Sequence, residues 1–201
     1  MTVGADQTQT LRFLFDPACP WAWRTSQWVR NARKERPIQV EWELFSLEYA
    51  NREGGNEGYL ERARRNRVAL RLLHLAREHN GSDGIDRLYE ALGKARHERG
   101  QVLHDPQVLS AALREAGLDE AMLDAATQQT DLDETLEDGY QAAEETGAFG
   151  VPTLYFGKEK TPYFGPVIDP VPDNEEAAKL WDNLSGLAEQ PYFFELKRPR
   201  G

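Results

Sequence analysis

The 201-residue sequence predicts an α/β fold in which an all-helical block interrupts a small sheet. Three observations carry this. Leu11–Phe15 is apolar apart from Arg12, and Ile38–Leu44 alternates apolar and polar residues with period two, so both read as strands with one helix between them. The next stretch, about 70 residues, shows helical periodicity and no strand signal. Strand signals then return at Gly150–Phe156 and Thr161–Phe164, between two further amphipathic helices.

Composition narrows the class. With 40% hydrophobic and 29% charged residues and no low-complexity tract, the chain is that of an ordinary globular protein able to bury one sizeable core. A formal net charge of −10 argues against nucleic acid or an anionic membrane as a partner. Met1–Thr10 is polar, which predicts no signal peptide, and no run is long and apolar enough to span a bilayer. One cysteine excludes an intrachain disulfide and suits a reducing compartment. The expectation is a soluble cytoplasmic protein.

Taken in order, Leu11–Phe15 predicts a strand buried on both faces, stopped by Asp16-Pro17. Pro20 suits the first turn of a helix running to about Arg33, with Trp28 and Ala32 inward and an exposed basic end at Arg30, Arg33 and Lys34. Strand, helix and strand at this spacing imply a parallel crossover. Asn51–Gly58 reads as a loop, and Tyr59–His79 as a helix with Leu60, Ala63, Leu70 and Leu73 on one face. Ile85, Leu88, Tyr89 and Leu92 mark another helix. Asp105-Pro106 opens a helix that Gly117 stops, and Asp119 caps a short one holding Met122 and Leu123. Asp131 starts a helix with Leu136, Tyr140 and Ala143 inward, ended by Gly147. Gly157–Lys160 reads as a turn between the last strands, and Pro162 marks a sheet edge. Asp173 and Glu176 resemble a capping box before the final helix, whose stripe is Ala177, Leu180, Trp181 and Leu184. In the tail, Tyr192–Phe194 is expected to pack and the rest to fray.

The order β-α-β, helical block, α-β-β-α is that of a thioredoxin-like fold with an inserted all-helical domain. The expected division is residues 10–55 and 131–190 for a discontinuous thioredoxin-like domain, 56–130 for the insertion and 191–201 for a tail.

The chemistry centres on Cys19, at a strand-to-helix turn. A thiol there faces the unpaired N–H groups and positive dipole end of the helix, which predicts a lowered pKa and a nucleophilic thiolate. Three residues on stands Ala22 instead of a second cysteine, so any disulfide must be made with another molecule. Val151-Pro152 opens a later strand and is the second element of interest. Trp21 lies at the helix start, where a side chain tends to face solvent or a cleft, and an exposed tryptophan beside a thiolate would suit a flat aromatic or quinone-like substrate. His97 is a surface histidine unless the helical block closes over Cys19, where it would stabilise the thiolate or relay a proton. Arg62, Arg64, Arg65, Arg67 and Arg71 wind around a helix and read as a solvated face. His74, His79 and His104 have no metal-ligand spacing with Cys19, and no phosphate or dinucleotide loop is present, so neither a metal nor a bound cofactor is expected.

The segment F-D-P-A-C-P-W-A-W-R-T-S-Q-W, followed by G-V-P-T, E-E-A-A-K-L-W-D and P-Y-F-F-E-L-K-R, resembles the DsbA-like proteins of actinobacteria, most closely the mycothiol-dependent nitroreductase family. The resemblance runs from Phe13 to Arg198 and includes a G-x-x-x-H-x-x-G segment, Gly93–Gly100. It implies a helical lid, a cis-proline at Pro152 beside Cys19, and backbone hydrogen bonds from Val151 to a thiol compound. It further implies a binding surface of Pro20, Trp21, Asn51 and Tyr59. Family members with nitroreductase activity carry C-P-W-C, so Ala22 is a departure that weighs against dithiol oxidation of proteins.

These readings lead to a cytosolic monothiol oxidoreductase. Cys19 reduces a small electrophilic or aromatic substrate through a mixed disulfide with a low-molecular-weight thiol such as mycothiol, with a mycoredoxin-like protein as a recycling partner. Two alternatives stand beside it. One is a thiol-conjugate transferase or isomerase resembling kappa-class glutathione transferases. The other is a non-catalytic binding protein on a degenerate thioredoxin fold.

Overall fold

The computed structural model describes residues 8–157 and 161–199. Residues 158–160 of the expected turn, and the first seven residues of the polar N-terminal stretch, lie outside them. Strand β1 (Gln9–Phe15) leads into α1 (Pro20–Ala32) and β2 (Ile38–Leu44), and β1 and β2 pair in parallel from Gln9↔Ile38 to Phe15↔Leu44. Helices α2 (Leu47–Ala50), α3 (Glu57–Arg65), α4 (Arg67–Gly93), a π-helical turn (Lys94–Glu98), α5 (Pro106–Glu115) and α6 (Met122–Gln128) follow. Then come α7 (Leu132–Glu145), β3 (Thr153–Phe156), β4 (Tyr163–Phe164) and α8 (Asn174–Ala188). The sheet order is β2-β1-β3-β4, with β3 antiparallel to both neighbours. The C-terminal ends of β1, β2 and β4 and the start of β3 therefore share one end of the sheet. This is a DsbA-like thioredoxin fold.

The core forms where the apolar stripes meet the sheet. Trp28 of α1 is fully buried and donates its indole N–H to the Ala177 carbonyl of α8 at 3.0 Å, while Trp181 donates to the Gln9 side chain at 2.6 Å. These two tryptophans join α1, α8 and the start of β1. On the other side, Phe13 and Phe15 pack on Trp42, and Phe15 stacks on Tyr89 of α4 at 3.8 Å. Asp105 and Asp173 cap their helices through Gln107 and Glu176, as their positions foretell. Among the described residues no helix is long and apolar enough to cross a membrane.

Several expectations are corrected. The helix expected over Tyr59–His79 is two helices jointed at Asn66, and the first begins earlier because Asn56 caps it by accepting from the Tyr59 N–H at 2.8 Å. Residues Ala69–Ala76 are buried all round rather than on one face. The helix containing Ile85–Leu92 joins the preceding one across Gly81, whose φ of 65 a glycine adopts readily. The arginine cluster is not one solvated face. Arg62, Arg64 and Arg65 are exposed, but Arg67 pairs with Glu48 and Asp133, and buried Arg71 holds Asp133 at 2.7 and 2.8 Å. Arg30 is likewise buried, paired with Asp86 and lying over Trp42 at 5.0 Å, because Asp86 offers it a counter-charge inside the fold. Among Tyr192–Phe194 of the tail, Phe193 packs, stacked on Tyr163, while Tyr192 and Phe194 are exposed.

Gly93 lets the helical block approach α1. A Cβ there would overlap the six-membered ring of Trp23, which is itself buried. Gly93→Ala should therefore destabilise the protein by about 1–3 kcal/mol, the usual cost of overpacking, despite alanine's better helix propensity. Urea unfolding of the two proteins checks this; equal midpoints would show that the Trp23 contact gives way freely.

Candidate active site

β1 ends at Asp16-Pro17, and the chain turns through Ala18 into α1. The turn is fixed at every residue. The Cys19 N–H donates to the Asp16 carbonyl at 3.0 Å. The Asp16 carboxylate accepts the Ala18 N–H at 2.8 Å with one oxygen and the Leu47 N–H of α2 at 2.9 Å with the other. From the opposite side, His97 Nε2–H donates to the Pro17 carbonyl at 2.9 Å, and its ring stacks on Trp23. The π-helical turn adds a residue to that stretch of helix and turns His97 toward this loop.

Cys19 is the N-cap of α1 with Pro20 as the first helical residue. Its sulfur accepts the Ala22 N–H at 3.5 Å and donates to the Val151 carbonyl at 3.5 Å. The Val151–Pro152 bond is cis, and Pro152 is tied to the edge strand by the Gly165 N–H at 2.8 Å. Cys19 and the proline loop thus meet at the shared end of the sheet. Ala22, in the place of a second cysteine, is fully buried.

The expected lowering of the Cys19 pKa is corrected by this geometry. Burial pushes the thiol above its ordinary value, the Ala22 and Trp21 N–H groups pull it down by less, and the Asp16 charge raises it further. The side chain is only 6% exposed, so desolvation outweighs the helix end. Asp16, fully buried, is pushed up to about 6, chiefly by burial; its two N–H donors pull down, and Glu48 adds to the rise. His97 is held below its usual value by burial, opposed by its bond to Pro17.

The other predicted residues fall into two groups. Trp21 is half-buried beside Cys19, with the Arg24 guanidinium 5.3 Å from its ring and Arg24 paired with Asp169. Pro20 is exposed. Asn51 ends α2, its amide donating to the Leu47 carbonyl at 2.7 Å and lying 3.5 Å from the Tyr59 hydroxyl. Tyr59 is near enough to the turn that, after burial, the charges of Asp16 and Cys19 raise its pKa. Leu47 therefore links this pair to the turn, its N–H bound by Asp16 and its carbonyl by Asn51. The role of Asp16 was missing from the sequence reading; the only signal was an acid directly before a strand-ending proline. Among the described residues no cluster of three His, Cys, Asp or Glu is placed to hold a metal ion.

Comparison with known proteins follows the same lines. Residues 18–198 match the family described as Rv2466c-like, mycothiol-dependent nitroreductase Rv2466c. The Mycobacterium tuberculosis protein Rv2286c is 34% identical over 191 residues, 95% of this chain and 82% of that protein. Among solved structures, a probable DsbA oxidoreductase, SCO1869 from Streptomyces coelicolor, superposes with a TM-score of 0.64 at 18% identity, covering 95% of this chain and 94% of its own. A 2-hydroxychromene-2-carboxylate isomerase gives 0.63 at 15% identity, covering 89% and 95%.

Two substitutions test the turn. His97→Phe keeps a ring against Trp23 but leaves the buried Pro17 carbonyl without its donor, and should cost about 1–3 kcal/mol in urea unfolding; an unchanged midpoint would remove His97 from the set of fixing contacts. For Asp16, a carboxyl at about 6 against an ordinary 3.8 makes the folded state bind the extra proton. Its stabilising contribution is complete below pH 3.8 and lost as pH rises through 6, a change of about 3 kcal/mol. Relative to Asp16→Asn, the wild type should therefore be more stable at pH 4 than at pH 7, and a difference independent of pH would contradict the shift.

Proposed function

The chain belongs to the Rv2466c-like, mycothiol-dependent nitroreductase family, and from that premise we propose that it is a cytoplasmic monothiol oxidoreductase. The observation that carries the proposal is the placement of Cys19 at the start of α1, facing the Val151 carbonyl beside Pro152, with Ala22 where a second sulfur would stand. A low-molecular-weight thiol of the mycothiol kind supplies the other sulfur. Cys19 and one such thiol lose two electrons and two protons to the acceptor and become joined as a mixed disulfide. A second thiol attacks that disulfide, releasing Cys19 as thiol and the small thiol as its own disulfide. A mycoredoxin-like protein is the natural agent for the same release.

The chain's own groups divide this work. The Ala22 N–H supports the sulfur as charge develops and the Val151 carbonyl receives the thiol hydrogen in the resting state. Trp21 supplies a flat surface next to the sulfur for an aromatic acceptor. Asn51 and Tyr59 supply an amide and a hydroxyl on the α2–α3 side for its polar end.

A second reading is favoured by the thiol itself, which is hydrogen-bonded as both donor and acceptor in its protonated form. In a transferase or isomerase Cys19 would polarise a bound thiol conjugate without turning over, as a serine hydroxyl also does.

Incubation with oxidised mycothiol followed by intact mass should show one mixed disulfide, lost in Cys19→Ser. Cys19→Ser should also abolish thiol-dependent reduction. Retained activity in that variant would favour the transferase or isomerase reading, and a thiol unreactive toward any disulfide would sink the redox proposal.

A further inference from the structure

Among the described residues, every exposed large apolar side chain except Val102 lies around β4 and the tail that crosses it. β4 is an edge strand of two residues, and Pro162 before it offers no N–H, so its free edge is poorly suited to backbone pairing. On one face of the strand Phe164 stacks on Phe149, with ring centroids 5.0 Å apart. On the other, the Tyr163 hydroxyl donates to the Ala188 carbonyl at 3.2 Å and Phe193 stacks on the Tyr163 ring. The rest of the tail stands clear. Phe149, Phe164, Tyr192, Phe194 and Leu196 are 72, 46, 75, 85 and 85% exposed. At about 200 Å² for an aromatic side chain and somewhat less for leucine, they expose roughly 600 Å² of apolar surface. That is the upper end of what a monomer shows in one patch. A standard interface takes about 800 Å² from each partner, little more than half of it apolar. The β4 edge therefore supplies the apolar share of one half of a stable interface.

We propose that the partner is a second copy of this chain, in a two-fold symmetric dimer whose tails pair antiparallel about Leu196 beside the β4 edges. The residue order of the tail is what selects a copy. Phe194-Glu195-Leu196-Lys197-Arg198 is complementary to itself in reverse. Centred on Leu196, the pairing sets Leu196 against Leu196, Glu195 against Lys197 twice, and Phe194 against Arg198 twice. Leucine on leucine, carboxylate on ammonium and guanidinium over a ring are each favourable cross-strand pairs. The two ends of each pair come from one surface, which is what a two-fold contact requires. Glu195, Lys197 and Arg198 are exposed and make no ion pair within the chain among the described residues, so all three are available. The segment also carries two cations to one anion in a chain of net charge −10, so it meets a copy's acidic surface attractively. Phe149, two residues before Val151, brings the covered edge up to the loop that faces Cys19.

Sedimentation velocity of the full chain at micromolar concentration should show one species of twice the chain's mass. Leu196→Asp sets two carboxylates against each other on the axis, and Lys197→Glu sets Glu195 against a carboxylate twice. Each should raise the dimer Kd at least about tenfold, and Glu195→Lys should do the same. Glu195→Lys combined with Lys197→Glu exchanges the signs, re-forms both pairs and should recover the dimer. All of these side chains are exposed, so circular dichroism should show unchanged helix content and separate loss of the dimer from loss of the fold. A chain that stays monomeric overturns the proposal, whether or not another protein binds its β4 edge. So does an open series of larger assemblies, a dimer indifferent to Leu196→Asp or to either single charge change, or a double exchange that fails to recover it.

Discussion

The candidate site depends on one carboxylate. Asp16 closes the turn that presents Cys19 by binding the Ala18 N–H, and with its second oxygen it binds the first N–H of α2. A backbone N–H at a helix start is one that the helix itself leaves unpaired, so the contact satisfies both partners. Through Leu47 it sets where α2 begins, and α2 in turn presents Asn51 toward Tyr59. Two surfaces that come from different parts of the chain are thereby registered on the same side chain. The cost is a buried charge with no cation paired to it among the described residues, and burial accordingly pushes the carboxyl pKa up.

The helical block holds the turn from the other side. His97 reaches the Pro17 carbonyl from a π-helical turn, and Gly93, four residues earlier, makes room for Trp23, on which His97 stacks. Gly100 then ends the segment with a φ of +68. The spacing G-x-x-x-H-x-x-G is thus a local device: a close approach, a hydrogen bond and a stop. A second fastening lies behind α2, where Glu48, Arg67, Asp133 and Arg71 join α2, α4 and α7. Its charges are paired and hydrogen-bonded, which is the condition for such a network to be tolerated inside a fold.

Much of this architecture is legible in the residues. The period-two alternation of Ile38–Leu44 reproduces the strand bounds, and Pro20, Asp105 and Asp173 mark helix starts because their chemistry is local. Cys19 and Val151-Pro152 stand out through turn chemistry too. What is not legible depends on partners distant in sequence. Arg30 and Arg71 look like surface residues until Asp86 and Asp133 are placed beside them, 56 and 62 residues away. Asp16 looks like a strand terminator because its second partner, Leu47, lies 31 residues on. The joint at Asn66 and the bend at Gly81 escape periodicity because Ala69–Ala76, between them, is buried all round and shows no stripe.

The thiol itself shows how two correct local arguments can be ranked only by structure. A helix N-terminus favours a thiolate, and its influence is worth roughly 0.3–1 kcal/mol when exposed, less than one pKa unit. Full desolvation works in the opposite direction and reaches 3–5 units. At 6% exposure Cys19 lies on the desolvation side of that balance, and Asp16 adds to it. The helix end still matters, because the Ala22 N–H already points at the sulfur and has only to strengthen its bond as charge appears. That donor is backbone, so the side chain at 22 contributes nothing to it. Alanine in place of a second cysteine therefore excludes an internal disulfide while leaving this backbone donor to the first sulfur in place. The backbone donor to the sulfur is thus independent of which side chain stands at position 22.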